Sequence, residues 1–256
     1  MRVPQGANFR RRWHRTRKSN FLSPSPTLPL TPYLILLTPR MDTNIVLSMR
    51  YSKKYKFIFL ANPKTGSTSV RHILNDLSDH HELIEQGLFH DHWSALEYKK
   101  IFGTIGLDWN SFYRFTTIRN PWKKYLSNYF YCKPDANFLP FYDKKYNEKK
   151  AFKYGFREWV VYYIKEQERF PPGCPPLMNF AFSDGTCLVD DIFPIETFER
   201  KAMPILRERG ILTQNISLPR LNTTGKRDYR NYYNSECIEL IAKICSLDIE
   251  LGEYVF

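Results

Sequence analysis

A chain of 256 residues, 43% of them hydrophobic, is long enough to bury a sizeable core without disulfide or metal staples, which excludes the small stapled scaffolds. Its formal net charge of +12 points at first to a nucleic-acid partner, but eight of the twelve excess charges, Arg2, Arg10, Arg11, Arg12, Arg15, Arg17, Lys18 and Arg40, fall in the first forty residues, where no acid offsets them. The remaining four suit a small anionic ligand, and no nucleic-acid partner is expected.

Residues 1–50 mix arginine with serine, threonine and proline, and their one long apolar run, 33–37, lies between Pro32 and Pro39. That run is far shorter than the roughly 20 residues a bilayer needs, so no transmembrane segment is expected. The composition predicts a disordered arm, either a targeting segment or residues dispensable to the working protein, with Met41 as an alternative start. The folded domain is expected over 51–256, with its first strand at 56–61.

Residues 57–61, Phe-Ile-Phe-Leu-Ala, are a short apolar run of the kind that fills a strand buried on both faces. The run gives way at once to Asn62, Pro63, Lys64, Thr65, Gly66, Ser67, Thr68 and Ser69, and then to Val70, Ile73, Leu74 and Leu77 at helical spacing. Strand, polar loop and helix start in that order make an anion trap. Glycine permits a left-handed turn, backbone amides converge, the helix presents its positive end, and Lys64 adds a full charge. The nucleotide pattern G-x-x-x-x-G-K-[ST] does not match, because Lys64 precedes Gly66, and this disfavours an ordinary ATPase or GTPase.

Ser94 and Glu97 predict a capping box that opens a short helix, closed by Gly103. Residues 113–118, Tyr-Arg-Phe-Thr-Thr-Ile, predict the second core strand. It runs into Arg119, Asn120 and Pro121, with proline suited to a first helical turn and Trp122, Tyr125, Leu126, Tyr129 and Phe130 at helical spacing behind it. Two strand-loop-helix units predict an α/β domain, a parallel sheet flanked by helices, with ligands beyond the carboxyl ends of the strands. Arg119 could bind such a ligand or serve as the structural partner of a carboxylate.

Further on, the pattern predicts a helix over 152–168 stopped by the proline-rich 171–176, and a hairpin about Ser183-Asp184-Gly185. A helix over 198–209, interrupted at Pro204, and a last helix over 235–245 complete the expected elements. Cys132, Cys174, Cys187, Cys237 and Cys245 show no C-x-x-C spacing, so no metal site is expected and free thiols are the default; an oxidising compartment would favour Cys174 with Cys187.

The loop from Pro63 to Ser69 resembles the phosphosulfate-binding loop of sulfotransferases that use the activated sulfate donor PAPS, 3′-phosphoadenylyl sulfate. Arg119, Asn120, Pro121, Trp122, Ser127 and Tyr129 resemble the same family's 3′-phosphate signature, R-[ND]-P-[WF]-x-x-x-x-S-x-Y. The tail from Leu218 through Asn222, Thr223 and Thr224 to Phe256 is similar to the carbohydrate branch, so the resemblance covers residues 57–256. It implies a P-loop-like fold, PAPS as donor, adenosine 3′,5′-bisphosphate as product, no metal, and a carbohydrate or other hydroxyl-bearing acceptor. Residue by residue it implies that Pro63, Lys64, Thr65, Gly66, Ser67, Thr68 and Ser69 hold the 5′-phosphosulfate, with Lys64 stabilising the bridging oxygen. Arg119 and Ser127 would hold the 3′-phosphate, and Asn222, Thr224 and Arg227 would add cofactor contacts. The segment Phe193-Pro194-Ile195-Glu196 departs from relatives that carry glycine and a basic residue before the glutamate, so it supports no inference about the substrate.

A hydroxyl acceptor needs a base, and imidazole titrates close to working pH. Among the six histidines, His14 is in the arm, His72 on the first helix, and His80 and His81 precede Leu83 and Ile84. His90 and His92 alternate about Asp91. The resemblance puts a catalytic histidine in this stretch, ahead of a helix start that His92-Trp93-Ser94-Ala95 matches, so His92 is the expected base and His90 the alternative. Two other readings stand beside this one: a P-loop kinase-like phosphotransferase using ATP with Mg²⁺, and a non-catalytic protein that binds an anionic ligand. The expected compartment is the cytoplasm, or the Golgi lumen or another organelle if the arm is a targeting segment. The oligomeric state is left open.

Overall fold

The computed structural model describes residues 49–79, 93–131, 155–171, 173–213, 216–221 and 228–256. The expected arm therefore lies outside the described residues except for Met49 and Arg50. These two open an unanticipated strand, β1 (Met49–Ser52), which pairs antiparallel with β2 (Phe57–Leu60) so that Tyr51 faces Ile58. The segment Met-Arg-Tyr-Ser alternates apolar and polar residues, but over only four positions, the shortest run that can signal a strand, and all four residues are buried. The Arg50 guanidinium is satisfied by the Asn75 side chain and the Met49 carbonyl, each at 2.8 Å. Its pKa is pulled down to about 10, chiefly by burial and then by Arg71.

After the polar loop, α1 (Ser67–Leu74) runs into a short 3₁₀ turn, Asn75–Leu77. The capping box forms as expected: Ser94 Oγ accepts from the Glu97 amide and Glu97 Oε2 accepts from the Ser94 amide, opening α2 (Ala95–Thr104). Gly103 does not end this helix; Gly106, at φ 74°, takes the left-handed turn two residues beyond it. Then come β3 (Tyr113–Ile118) and α3 (Pro121–Tyr131), at the positions their composition predicts.

The expected helix over 152–168 is described as α4 (Phe156–Val161), which widens into a π turn at Tyr162–Glu166. After α5 (Leu177–Ala181), the hairpin appears as two very short strands, β4 (Phe182–Ser183) and β5 (Thr186–Cys187). Asp184 and Gly185 join them at φ 48° and 71°, the pair of left-handed residues that a tight hairpin turn requires. The apolar residues that follow leave the hairpin as β6 (Asp191–Pro194), a third parallel strand beside β3. Arg114 explains the pairing: its guanidinium grips Asp190 through two bonds of 2.8 and 2.9 Å, and its backbone amide donates to the same carboxylate.

The last elements are α6 (Phe198–Glu208), α7 (Ser235–Ile244) and α8 (Ser246–Gly252). Pro204 does not interrupt α6. Both Pro204 and Arg200, whose carbonyl loses its amide partner there, are exposed, so water can replace the missing bond. The main sheet has the order β1-β2-β3-β6, with β2, β3 and β6 parallel and β1 antiparallel at the edge. Expected as parallel throughout, it is mixed.

Helices cover both faces. Phe57, Phe59, Phe115 and Phe193 meet α1 and α6 through Val70, Leu74, Phe198, Ala202, Met203 and Leu206. Strand alternation puts Tyr51 on the other side, where Phe102 of α2 meets Tyr51, Trp109 and Phe112 edge-on at 5.4 to 5.6 Å between centroids. A second core joins α3, α4 and α7 through Trp122, Tyr125, Tyr129, Phe156, Trp159 and Ile241. Among the described residues no helix is long and apolar enough to cross a membrane. Among the described residues no disulfide joins Cys174 to Cys187, the pair considered for an oxidising compartment.

Candidate active site

The register of the parallel strands decides which loops meet. Leu60 lies opposite Thr116 and Ile118 opposite Pro194, so residues 61–66, 119–120 and 195–196 leave the same carboxyl edge side by side. The first of these loops is pinned from within. Thr65 Oγ1 donates to the Asn62 carbonyl at 2.7 Å and lies 2.7 Å from Thr117 Oγ1 on β3. Pro63 and Thr65 are buried, while Lys64 and Gly66 are half-exposed.

Lys64 and Gly66 both hold left-handed backbone conformations, at φ 61° and 73°. Glycine does so freely; lysine does not, and such strain persists where the surroundings over-determine it. A Cβ at Gly66 would also sit 2.5 Å from Ile195 Cγ1, so glycine is required on both counts. Gly66 is the N-cap of α1 and offers no side chain to its first turn. The amides of Ser67 and Thr68 have no acceptor among the described residues, and Ser67 and Ser69 are buried behind them with Thr68 half-exposed. Uncapped amides at a helix start, reinforced by the helix dipole, suit an anion.

Arg119 leaves β3 and donates from Nη1 to the Lys64 carbonyl at 3.3 Å, tying the second sequence motif to the first. Glu196 is the nearby carboxylate, but both its oxygens are otherwise engaged. Oε1 accepts from the Asn120 amide at 3.0 Å and Oε2 from the Tyr254 hydroxyl at 2.8 Å. Among the described residues Arg119 makes no ion pair. Burial pulls its pKa down from the ordinary value, and the Glu196 charge and the Tyr254 phenol oppose that shift.

The helix α3 turns one stripe toward the loop. Lys124 Nζ donates to Asn62 Oδ1 at 3.4 Å, and Lys64 Nζ rests 3.8 Å from the centroid of the Tyr131 ring. Ser127 lies three residues beyond Lys124 and four before Tyr131, on that same face, and it is buried. The helix thus brings Ser127 to the side on which Lys64 and Arg119 stand.

His90, His92, Asn222, Thr224 and Arg227 lie outside the described residues. Of their described neighbours, the Trp93 ring packs edge-on against Tyr98 of α2 at 5.8 Å, and the Leu221 amide donates to Ser69 Oγ on α1 at 3.4 Å. Among the described residues no cluster of His, Cys, Asp and Glu side chains could hold a metal ion.

Glu196, Tyr254, Asn62 and Lys124 escape the sequence reading. Glu196 stands in the segment 193–196 that departs from the resembling pattern, although the glutamate itself is retained. A signal for Lys124 was present: positions 124, 127 and 131 share a helical stripe, so a lysine there faces whatever Ser127 faces.

Compared with models of known protein families, residues 48–255 match the one described as the sulfotransferase family. No curated protein and no solved structure matches.

Proposed function

This chain belongs to the sulfotransferase family, and from that premise we propose that it moves a sulfuryl group from PAPS to a hydroxyl of a carbohydrate acceptor. The observation that carries the reading is the Arg119 bond to the Lys64 carbonyl, which brings two separated cationic sites to one strand edge. A P-loop-like reading of the fold follows from the strand-loop-helix unit at β2. The donor set fits PAPS: uncapped amides and Lys64 suit a 5′-phosphosulfate, while Arg119 and Ser127 suit a second, 3′ anionic group. A nucleotide with phosphates on the 5′ side alone would leave Arg119 and Ser127 unused, which weighs against the kinase-like alternative.

When bound, PAPS supplies an activated sulfuryl group whose leaving group is a phosphate. Lys64 leaves the face of Tyr131 and stabilises the negative charge that develops on that phosphate. Arg119 and Ser127 hold the 3′-phosphate, with Asn222, Thr224 and Arg227 adding contacts. His92 takes the proton from the acceptor hydroxyl.

Calorimetry with adenosine 3′,5′-bisphosphate, 5′-AMP and ATP tests this reading. The 3′,5′-bisphosphate should bind without metal. Loss of its 3′-phosphate should cost at least one charge-assisted bond, roughly 1.5–3 kcal/mol, so 5′-AMP should bind about ten- to a hundredfold more weakly. Equal affinities would overturn the proposal, and Mg²⁺-dependent binding of ATP in preference to both would favour the kinase-like alternative.

A further inference from the structure

Lys124 is a lysine with no exposed surface, seated inside the domain and assigned no role in the reaction above. Its ammonium donates to Asn62 Oδ1 and to the Pro175 carbonyl. Asn62, also without exposed surface, donates in turn to the Thr117 carbonyl at 3.3 Å, and its own carbonyl accepts from Thr65 Oγ1. Asp248 of α8 is another side chain with no exposed surface that the Lys124 charge influences. One of its oxygens accepts from the Leu177 amide at 2.9 Å, and Oδ1, fully buried, has no hydrogen-bond partner. Burial drives the Asp248 pKa up, and the charge on Lys124 is the largest influence holding it down.

These groups join α3, the loop after β2, the proline turn before α5, and α8. Burying an ammonium costs several kcal/mol, and an apolar side chain of similar volume could fill the same space more cheaply. What the charge supplies is direction, because its donors lock onto the Asn62 amide and the Pro175 carbonyl together. Asn62 is the last side chain before the anion loop, and it links Lys124 to Thr65 and Thr117.

We propose that Lys124 is a positioning residue for the anion loop: its ammonium orients Asn62, Asn62 sets the Thr65–Thr117 contact that shapes the loop, and Asp248 supplies the counter-charge from the C-terminal helix. The inference deepens the sulfuryl-donor reading and rests on it only for the nucleotide used as a probe.

The test combines hydrogen exchange on the ligand-free full chain with calorimetry using adenosine 3′,5′-bisphosphate. Lys124→Met is made together with Asp248→Asn, so that no buried carboxylate is stranded. Asn62→Ala cuts the same link from the loop side and decides the question if the first variant does not fold. Both should exchange faster over residues 62–69, with α6 unchanged, and both should bind the nucleotide about tenfold more weakly or worse. Because the link is one chain, combining all three substitutions should weaken binding little beyond Asn62→Ala alone. Lys124→Arg, which keeps the charge, should restore much of the affinity. Unchanged exchange over 62–69, or faster exchange spread evenly over the domain, would overturn the proposal. If the wild-type chain does not bind the nucleotide, the donor reading falls, and exchange over 62–69 alone decides the role of Lys124.

Discussion

Lys64 and His92 are both polar loop residues, yet the proposed chemistry gives them different signatures. Lys64 acts on a phosphate that is present before and after the reaction, so Lys64→Ala should lower turnover and also weaken adenosine 3′,5′-bisphosphate. His92 acts on the acceptor alone. His92→Ala should leave nucleotide affinity nearly unchanged while turnover falls about 10²–10⁴-fold, the usual cost of a lost general base. Wild-type activity should then rise with pH through an apparent pKa of about 6.5, since only neutral imidazole accepts the proton. Turnover measured for His92→Ala beside His90→Ala decides the assignment: loss in His90→Ala alone moves the base to His90, and loss in neither moves it elsewhere. At this scale the sequence was legible wherever chemistry is local. Gly66 is readable because a left-handed N-cap selects glycine, and the place of Arg119 because it directly follows a strand at the carboxyl edge of the sheet. Glu196 was not, since its partners Asn120 and Tyr254 are 76 and 58 residues away.

Elements with strong local signals form where they are expected. The capping box at Ser94, the β-formers of β3, the proline start of α3 and the left-handed pair at Asp184 and Gly185 each rest on residues a few positions apart. Elements that depend on a neighbour do not announce themselves. β6 reads as the second arm of a hairpin until the Arg114–Asp190 pair draws it beside β3. α6 passes through Pro204 because that face meets solvent, and α8 is helical although only seven residues long. The C-terminal tail beyond α8 has no regular structure but closes on the site: the Val255 carbonyl accepts from Asn120 Nδ2 and the Tyr254 hydroxyl donates to Glu196. Burial first, and then the Glu196 charge, drive the Tyr254 pKa upward, so the phenol keeps its proton throughout the neutral range. Tyr254→Phe should therefore cost about 1 kcal/mol, the value of one half-exposed hydrogen bond, and lower the melting temperature by roughly 2–4 °C. A melting temperature unchanged in thermal denaturation would show that the tail is not held through this bond.

For the whole molecule, the boundary of the folded domain is set by β1 and not by the loop that follows it. Met49 and Tyr51 have no exposed surface, so removing them forfeits about 4 kcal/mol of apolar burial, a large share of the 5–15 kcal/mol that holds a typical domain together. A chain beginning at Met41 should keep the melting temperature and nucleotide affinity of the full chain, whereas one beginning at Lys53 should lose both. A marked loss in the Met41 chain would show that the basic segment contributes to the fold. The sequence by itself determined the local units of this protein, the strand-loop-helix at Lys64 and the one at Arg119, because glycine's freedom, proline's fixed φ, helix caps and side-chain periodicity act within a few residues. Only the tertiary structure decided the order β1-β2-β3-β6, the arrival of Glu196 at Asn120, the stripe of α3 that faces the anion loop, and the burial of Lys124 against Asn62. Those are contacts between segments far apart in the chain, made by residues whose local preferences are compatible with many other neighbours, and packing around the sheet is what selects among them.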